Sequence, residues 1–289
     1  MTLRKLLALG LLIGTPVGAQ TLSAVDAFHA EGARAAKPTA TIPYGPDPLQ
    51  TGDLRLPEGK GPFPVAMIIH GGCWLANVDN KAGTAAVAEA LTRRGIATWN
   101  VEYRRIGDAG GGWPGTFKDI AAAEDKLTQI ARLFPLDLKR VTIVGHSAGA
   151  HLALWAASRA RLPAPWSPPG VRPQSVVAID GPAALAPFIG ADKEACGQSV
   201  IEPLMGGAPN LHAAEYRIAS PAEHLPLGVK QLLVTGVFRP FIEPYKVAVK
   251  HSSDPLLSLD PAGANHFNIV TPSTPIGASV IDFIVKNAF

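Results

Sequence analysis

Ser147 stands in Gly145-His146-Ser147-Ala148-Gly149, between a β-branched run, Val141 to Val144, and an Ala- and Leu-rich stretch, Ala150 to Ala157. A buried strand that passes straight through a G-x-S-x-G turn into a helix forms a nucleophile elbow. The turn is tight enough to hold the serine in strained backbone and to lift its Oγ above the sheet edge. The two glycines let strand and helix pass closely. A hydroxyl presented in this way attacks an acyl carbon once a base takes its proton. The pentapeptide by itself is common, and an ordinary glycine-rich loop with an unreactive serine would contain it too; the flanking strand and helix give it weight. A second segment serves the same chemistry. His70-Gly71-Gly72-Cys73-Trp74 follows the apolar run Pro64 to Ile69, and two glycines after a central strand allow N–H groups to converge on an oxyanion. The expected donors are the amides of Gly72, Cys73 and Ala148.

These groups need a frame that brings them to one edge. The chain alternates: strand 64–69, helix 85–94 stopped by Gly95, strand 96–103, helix 116–134 after Trp113-Pro114-Gly115, then the elbow strand. Strand 175–179 ends at Asp180-Gly181-Pro182, strands 231–235 and 256–259 come last, and helix 276–288 closes the fold. Residues 47–57 read as edge strands, 163–173 as a proline-rich connection, and 183–225 as a loop-rich insertion bordering the pocket. Such alternation argues for an α/β fold, a mainly parallel sheet with helices on both faces and ligands at the strands' carboxyl ends. Of the eight histidines, His266 in Gly263-Ala264-Asn265-His266-Phe267 follows the final strand at that edge and is the expected base. His146 and His151 flank the elbow and are expected to pack or to give supporting hydrogen bonds, and His251 precedes the final strand at the opposite edge.

The elbow, the H-G-G-C-W loop and the late G-A-N-H-F segment, spread over nearly the whole chain, resemble an α/β-hydrolase of the esterase/lipase group. Bacterial carboxylesterases of the feruloyl-esterase-like (BD-FAE) or kynurenine-formamidase-like kind are the nearest in pattern. The resemblance implies ester or amide hydrolysis through an acyl-enzyme, with no metal and no cofactor, on a small-molecule substrate. It also implies a triad acid in a G-x-x-D pattern after the penultimate strand. Here that segment reads Gly236-Val237-Phe238-Arg239, and a cation cannot orient an imidazole or stabilise its protonated form. Glu243, further along what reads as the same loop, is the first candidate to replace it, and Asp180 the second. Asp260 is near His266 in sequence, and Asp254 precedes the last strand. Trp74, Trp113 and Phe188 are candidates for an apolar pocket wall, with plain core packing as the simpler reading. Arylformamidase or amidase chemistry is the alternative within enzymes. Arg239 also admits a hydrolase-fold protein that has lost catalysis and only binds.

Composition limits the partners and the compartment. Arg4 and Lys5, the apolar run Leu6 to Ile13 and the small residues ending at Ala19 have the order of a secretory signal, which makes 1–19 a signal peptide, 20–289 the hydrolase domain, and the protein periplasmic or secreted. No later run reaches the roughly 18 apolar residues of a membrane-spanning helix. Without Arg4 and Lys5 the 26 basic residues fall to 24, against 23 acidic ones. That balance, with no basic run, speaks against a nucleic-acid partner. Cys73 and Cys196 are the only two cysteines. In an oxidising compartment they either join or remain two buried thiols.

Overall fold

The computed structural model describes residues 22–289, so the expected signal peptide lies outside the described residues. Eight strands form one sheet: β1 (Ala40–Pro43), β2 (Thr51–Arg55), β3 (Phe63–Ile69), β4 (Ala97–Val101), β5 (Leu136–His146), β6 (Ser175–Ile179), β7 (Lys230–Val234) and β8 (Leu256–Leu259). Their order is β1-β2-β4-β3-β5-β6-β7-β8. β1–β2 and β2–β4 pair antiparallel, and every pairing from β4 to β8 is parallel. The helices are α1 (Ala24–Arg34), α2 (Ala85–Arg93), α3 (Gly115–Ile130), α4 (Ala148–Ser158), α5 (Ala191–Cys196), α6 (Ile201–Met205), α7 (Ala213–Ala219), α8 (Arg239–His251) and α9 (Pro275–Asn287).

Alternation along the strands builds two cores. Val65, Met67 and Ile69 of β3 point into one, with Phe117 and Leu127 of α3, Trp155 of α4, and Ile242 and Val249 of α8. Ala66 and Ile68 point into the other, with Phe28 of α1, Val87 and Leu91 of α2, and Ile281 and Ile284 of α9. Period-two alternation with both sets apolar is what a sheet covered on both faces requires. Fully burying each large aliphatic side chain stabilises by about 1.5–3 kcal/mol over leaving it in water. The α/β-hydrolase arrangement expected from the sequence is thus present.

Two expectations differ from the structure. The stretch 183–225 is not mainly loop: it carries α5, α6 and α7, which have 6, 5 and 7 residues and are too short to show a 3.6-residue period. Residues 236–244 are not one loop either. α8 starts at Arg239, with Pro240 in its first turn, where a proline's missing N–H has no partner to lose. Pro244 lies inside the helix, which persists because Ile242, Tyr245 and Val249 are buried. Among the described residues, α1 and β1 are further elements outside the sequence reading.

Candidate active site

The parallel strands all end at one edge, and each candidate group sits on the segment that leaves a strand there. Ser147, directly after β5 and before α4, has φ 57° and ψ −122°. This left-handed backbone costs a serine on the order of 1–3 kcal/mol and persists only where the surroundings impose it. The Ser147 N–H donates to the Ile179 carbonyl at 2.9 Å, and its own carbonyl accepts from Ala150 N–H at 2.9 Å. A Cβ at Gly149 would lie 2.1 Å from the Ile69 carbonyl oxygen, so only glycine lets α4 start against β3.

His266, on the loop after β8, donates from Nδ1 to Asp180 Oδ2 at 2.8 Å. Asp180 directly follows β6, also with positive φ (49°), and is fully buried. Its Oδ1 accepts from the amides of Gly236 (2.8 Å) and Phe238 (2.9 Å), and its Oδ2 from Val237 (3.1 Å). Burial opposes ionisation here. The hydrogen bond and charge of His266 and the amides of Phe238 and Gly236 outweigh it and hold the carboxyl below its ordinary range. With Nδ1 donating, Nε2 is the ring nitrogen left to accept a proton. Ser147 and His266 line one cleft of about 590 Å³. Among the described residues, no hydrogen bond joins Ser147 Oγ to His266; such bonds often tighten only with substrate in place.

The carboxylate beside His266 therefore belongs to Asp180 and not to Glu243, the first choice from the sequence. Because α8 begins at Arg239, Glu243 is carried one helical turn on. It is 45% exposed and pairs with Arg239 (3.3 Å) and Lys246 (3.1 Å). Asp260 is taken by Lys246 at 2.7 Å. Asp254 accepts from the amides of Leu227 and Gly228 at the far end of the sheet, and His251 ends α8.

The loop after β3 brings its backbone to the same place. Gly72, Cys73 and Trp74 all have positive φ, at 97°, 56° and 56°. A Cβ on Gly71 would lie 3.0 Å from Ser147 Cβ. Among the described residues, the amides of Gly72, Cys73 and Ala148 have no hydrogen-bond acceptor. Two further devices hold the loop. The His70 ring spans the Gly71 carbonyl (Nδ1, 2.8 Å) and the Glu102 carboxylate (Nε2, 2.9 Å), and the Tyr103 hydroxyl donates to the His70 carbonyl (2.9 Å). Cys73 is also disulfide-bonded to Cys196 at the end of α5. Sequence reasoning missed the Glu102-Tyr103 brace. Two polar residues at the carboxyl end of a buried strand were its only signal.

His146 lies behind His266, with ring centroids 4.5 Å apart, and donates from Nε2 to the His266 carbonyl at 2.8 Å. Burial first, and then the charge of His266, push its pKa down to about 3, so it is a neutral support. His151 is likewise pushed down to about 4 by burial, and donates to the Ala219 carbonyl at 2.7 Å. Of the three aromatics singled out, Trp74 and Phe188 line a small chamber beside Ser147. Trp113 instead packs on Phe117 and Trp166. Among the described residues there is no group of three or more His, Cys, Asp or Glu side chains placed to hold a metal ion, and no helix long and apolar enough to cross a membrane.

Known proteins share both the frame and the central segment. Esterase B from Lactobacillus rhamnosis superposes with a TM-score of 0.72 at 18% identity, covering 90% of each chain. A truncated carbohydrate esterase from gut microbiota gives 0.71 at 19% identity, over 88% of this chain and 97% of that one. A probable isoprenylcysteine alpha-carbonyl methylesterase of Arabidopsis thaliana is 30% identical over 114 residues, which is 39% of this chain and 23% of the plant protein. The match thus spans about a quarter of that curated relative. The BD-FAE family model matches residues 53–235, from β2 through the elbow to the end of β7, and by that match the chain belongs to the BD-FAE family of α/β-hydrolase-fold proteins.

Proposed function

We propose that this protein is a carboxylic ester hydrolase working through an acyl-enzyme on Ser147. The observation that carries the reading is the hydrogen bond from His266 to buried Asp180 beside a serine held in elbow geometry. As Ser147 Oγ attacks the ester carbonyl, His266 Nε2 takes its proton, and Asp180 holds the ring through Nδ1 and offsets the charge it gains. The oxyanion receives the amides of Gly72, Cys73 and Ala148; one such donor is worth on the order of a hundredfold or more in rate. The tetrahedral adduct collapses, the alcohol leaves with the proton from His266, and water repeats the sequence to release the acid and restore Ser147. The esterase names among the structural neighbours and the BD-FAE membership support this class over an amidase. The lost-catalysis reading rested on Arg239, and a carboxylate beside His266 supplied from β6 removes its motive.

Export belongs to the same proposal. It is supported by the charged, apolar and small-residue order of residues 1–19 and by a disulfide that an oxidising compartment would keep. The test is hydrolysis of p-nitrophenyl acetate by wild type and Ser147→Ala, with a fluorophosphonate as a label of the serine. Turnover and labelling in wild type, both lost in Ser147→Ala, are expected. Equal rates in the two proteins would end the reading.

A further inference from the structure

Asp79 is a largely buried carboxylate that the ester mechanism does not use. Its side chain is 11% exposed and lines the cleft of about 590 Å³ that Ser147 and His266 share. Oδ1 accepts from the Asn80 amide at 2.8 Å, and among the described residues Oδ2 receives no hydrogen bond. The Arg105 guanidinium donates to the Asp79 carbonyl and not to its carboxylate, and is paired with Glu102 (3.3 Å) and Asp108 (3.2 Å). Among the described residues, the ionisable group within ion-pair distance is His29 of α1, 3.7 Å away and charged only when protonated. Burial outweighs these neighbours and holds the Asp79 carboxyl above its ordinary range. A carboxylate taken out of water without a cation beside it is costly, and a ligand that brings the cation removes the cost.

The loop after β3 fixes where this carboxylate stands. A Cβ on Gly72 would lie 2.8 Å from Asp79 Cβ, and one on Gly83 would lie 2.6 Å from each carboxylate oxygen. Gly71 stands against Ser147 in the same way, so two adjacent glycines separate the side chains, and the carboxylate is on the order of 10 Å from the nucleophile. A cation about four bonds from the ester carbonyl spans most of that distance.

The rest of the wall suits such a group. Glu194 of α5 adds a second carboxylate, and among the described residues no lysine or arginine lines the cleft. His146, on the same wall, is neutral. Phe238, Phe241 and Phe267 supply aromatic rings, and a ring face attracts a cation. A quaternary ammonium is apolar at its surface and charged at its centre, which matches phenyl rings around a carboxylate. Resting on the esterase reading, we infer that the cleft selects esters bearing a cationic amine, and that Asp79 is the residue that recognises the cation.

The experiment uses two isosteric pairs at about pH 8, above the ordinary range of an imidazole. Acetylthiocholine and 3,3-dimethylbutyl thioacetate carry the cation, or its neutral copy, on the leaving half. The p-nitrophenyl esters of 4-(trimethylammonio)butyrate and 5,5-dimethylhexanoate carry them on the acyl half. Each kcat/KM is divided by the hydroxide rate constant of the same ester, which removes intrinsic reactivity. In wild type the cationic member of at least one pair is expected to lead by about tenfold, mainly through KM. Asp79→Asn and Asp79→Ser are expected to erase that lead. Because each ratio is taken within one preparation, partial misfolding of a variant cancels. Wild type that hydrolyses p-nitrophenyl acetate but favours neither cation overturns the inference and leaves the esterase reading standing. A lead that both Asp79 variants keep overturns it equally. No turnover of any of these esters, p-nitrophenyl acetate included, removes the esterase reading and the cation selectivity with it.

Discussion

Asp180 is where the sequence was hardest to read. It is 86 residues before His266, and nothing in its own segment, Asp180-Gly181-Pro182, marks it as more than a strand end. What selects it is invisible in one dimension: the amides of Gly236, Val237 and Phe238 converge on its carboxylate, so the segment expected to supply an acid supplies its receptor instead. Ser147 and His266 were legible because position after a strand is a local property. The partner of an imidazole depends on which strands are neighbours and where a helix starts. In kinetics, Asp180→Asn is expected to lower kcat by about three to four powers of ten, as loss of the orienting carboxylate does in serine proteases. Glu243→Gln, altering an exposed ion pair, is expected to stay within about twofold. The reverse result would return the acid to α8.

At the scale of elements, the central strands and long helices were predictable from period and punctuation, and β3, β6 and β8 lie within about a residue of where the sequence places them. The errors fall where period has no room to develop. α5 to α7 are a turn or two each, and α8 is interrupted by prolines that read as loop. The disulfide links one of these short helices to the loop that carries a proposed oxyanion donor, so its loss touches stability and catalysis together. Cys196→Ser is expected to destabilise the protein by about 2–4 kcal/mol. At temperatures where it remains folded, kcat should fall because the loop after β3 is loosened, and KM should rise because α5, which the bridge also holds, lines the cleft. An unchanged kcat in the folded variant would show that the His70–Glu102–Tyr103 brace positions Cys73 without the bridge.

Across the whole molecule, two buried neutral histidines set the response to acid. His146 and His151 titrate at about 3 and about 4 in the fold, against roughly 6.5 in an unfolded chain. Between about pH 4 and 6.5 the unfolded chain binds more protons, so stability rises with pH there, by up to about 1.4 kcal/mol per pH unit for each histidine. Asp180 adds the same sign lower down. Its folded carboxyl titrates below the ordinary value, so its contribution is present above that value and is lost as pH falls through the folded one. Glu124, raised to about 8 by burial, carries the opposite sign above about pH 4.5 and offsets one histidine, so the melting temperature, measured by scanning calorimetry, should be lower at pH 4 than at pH 6.5. A flat profile over that range is the result this account does not allow.

The sheet pairing bears on how activity is lost on heating. β5 and β6 are registered so that His146 faces Ile179, the Ser147 N–H donates to Ile179, and the Asp180 N–H donates to Val234. Ser147 and Asp180 thus extend the pairing of neighbouring strands in the middle of one sheet, and their separation is set by strand spacing. Only His266 hangs from irregular chain. Two corners of the triangle melt with the core and the third can leave alone, so heat inactivation that precedes global unfolding would originate in the segment around His266.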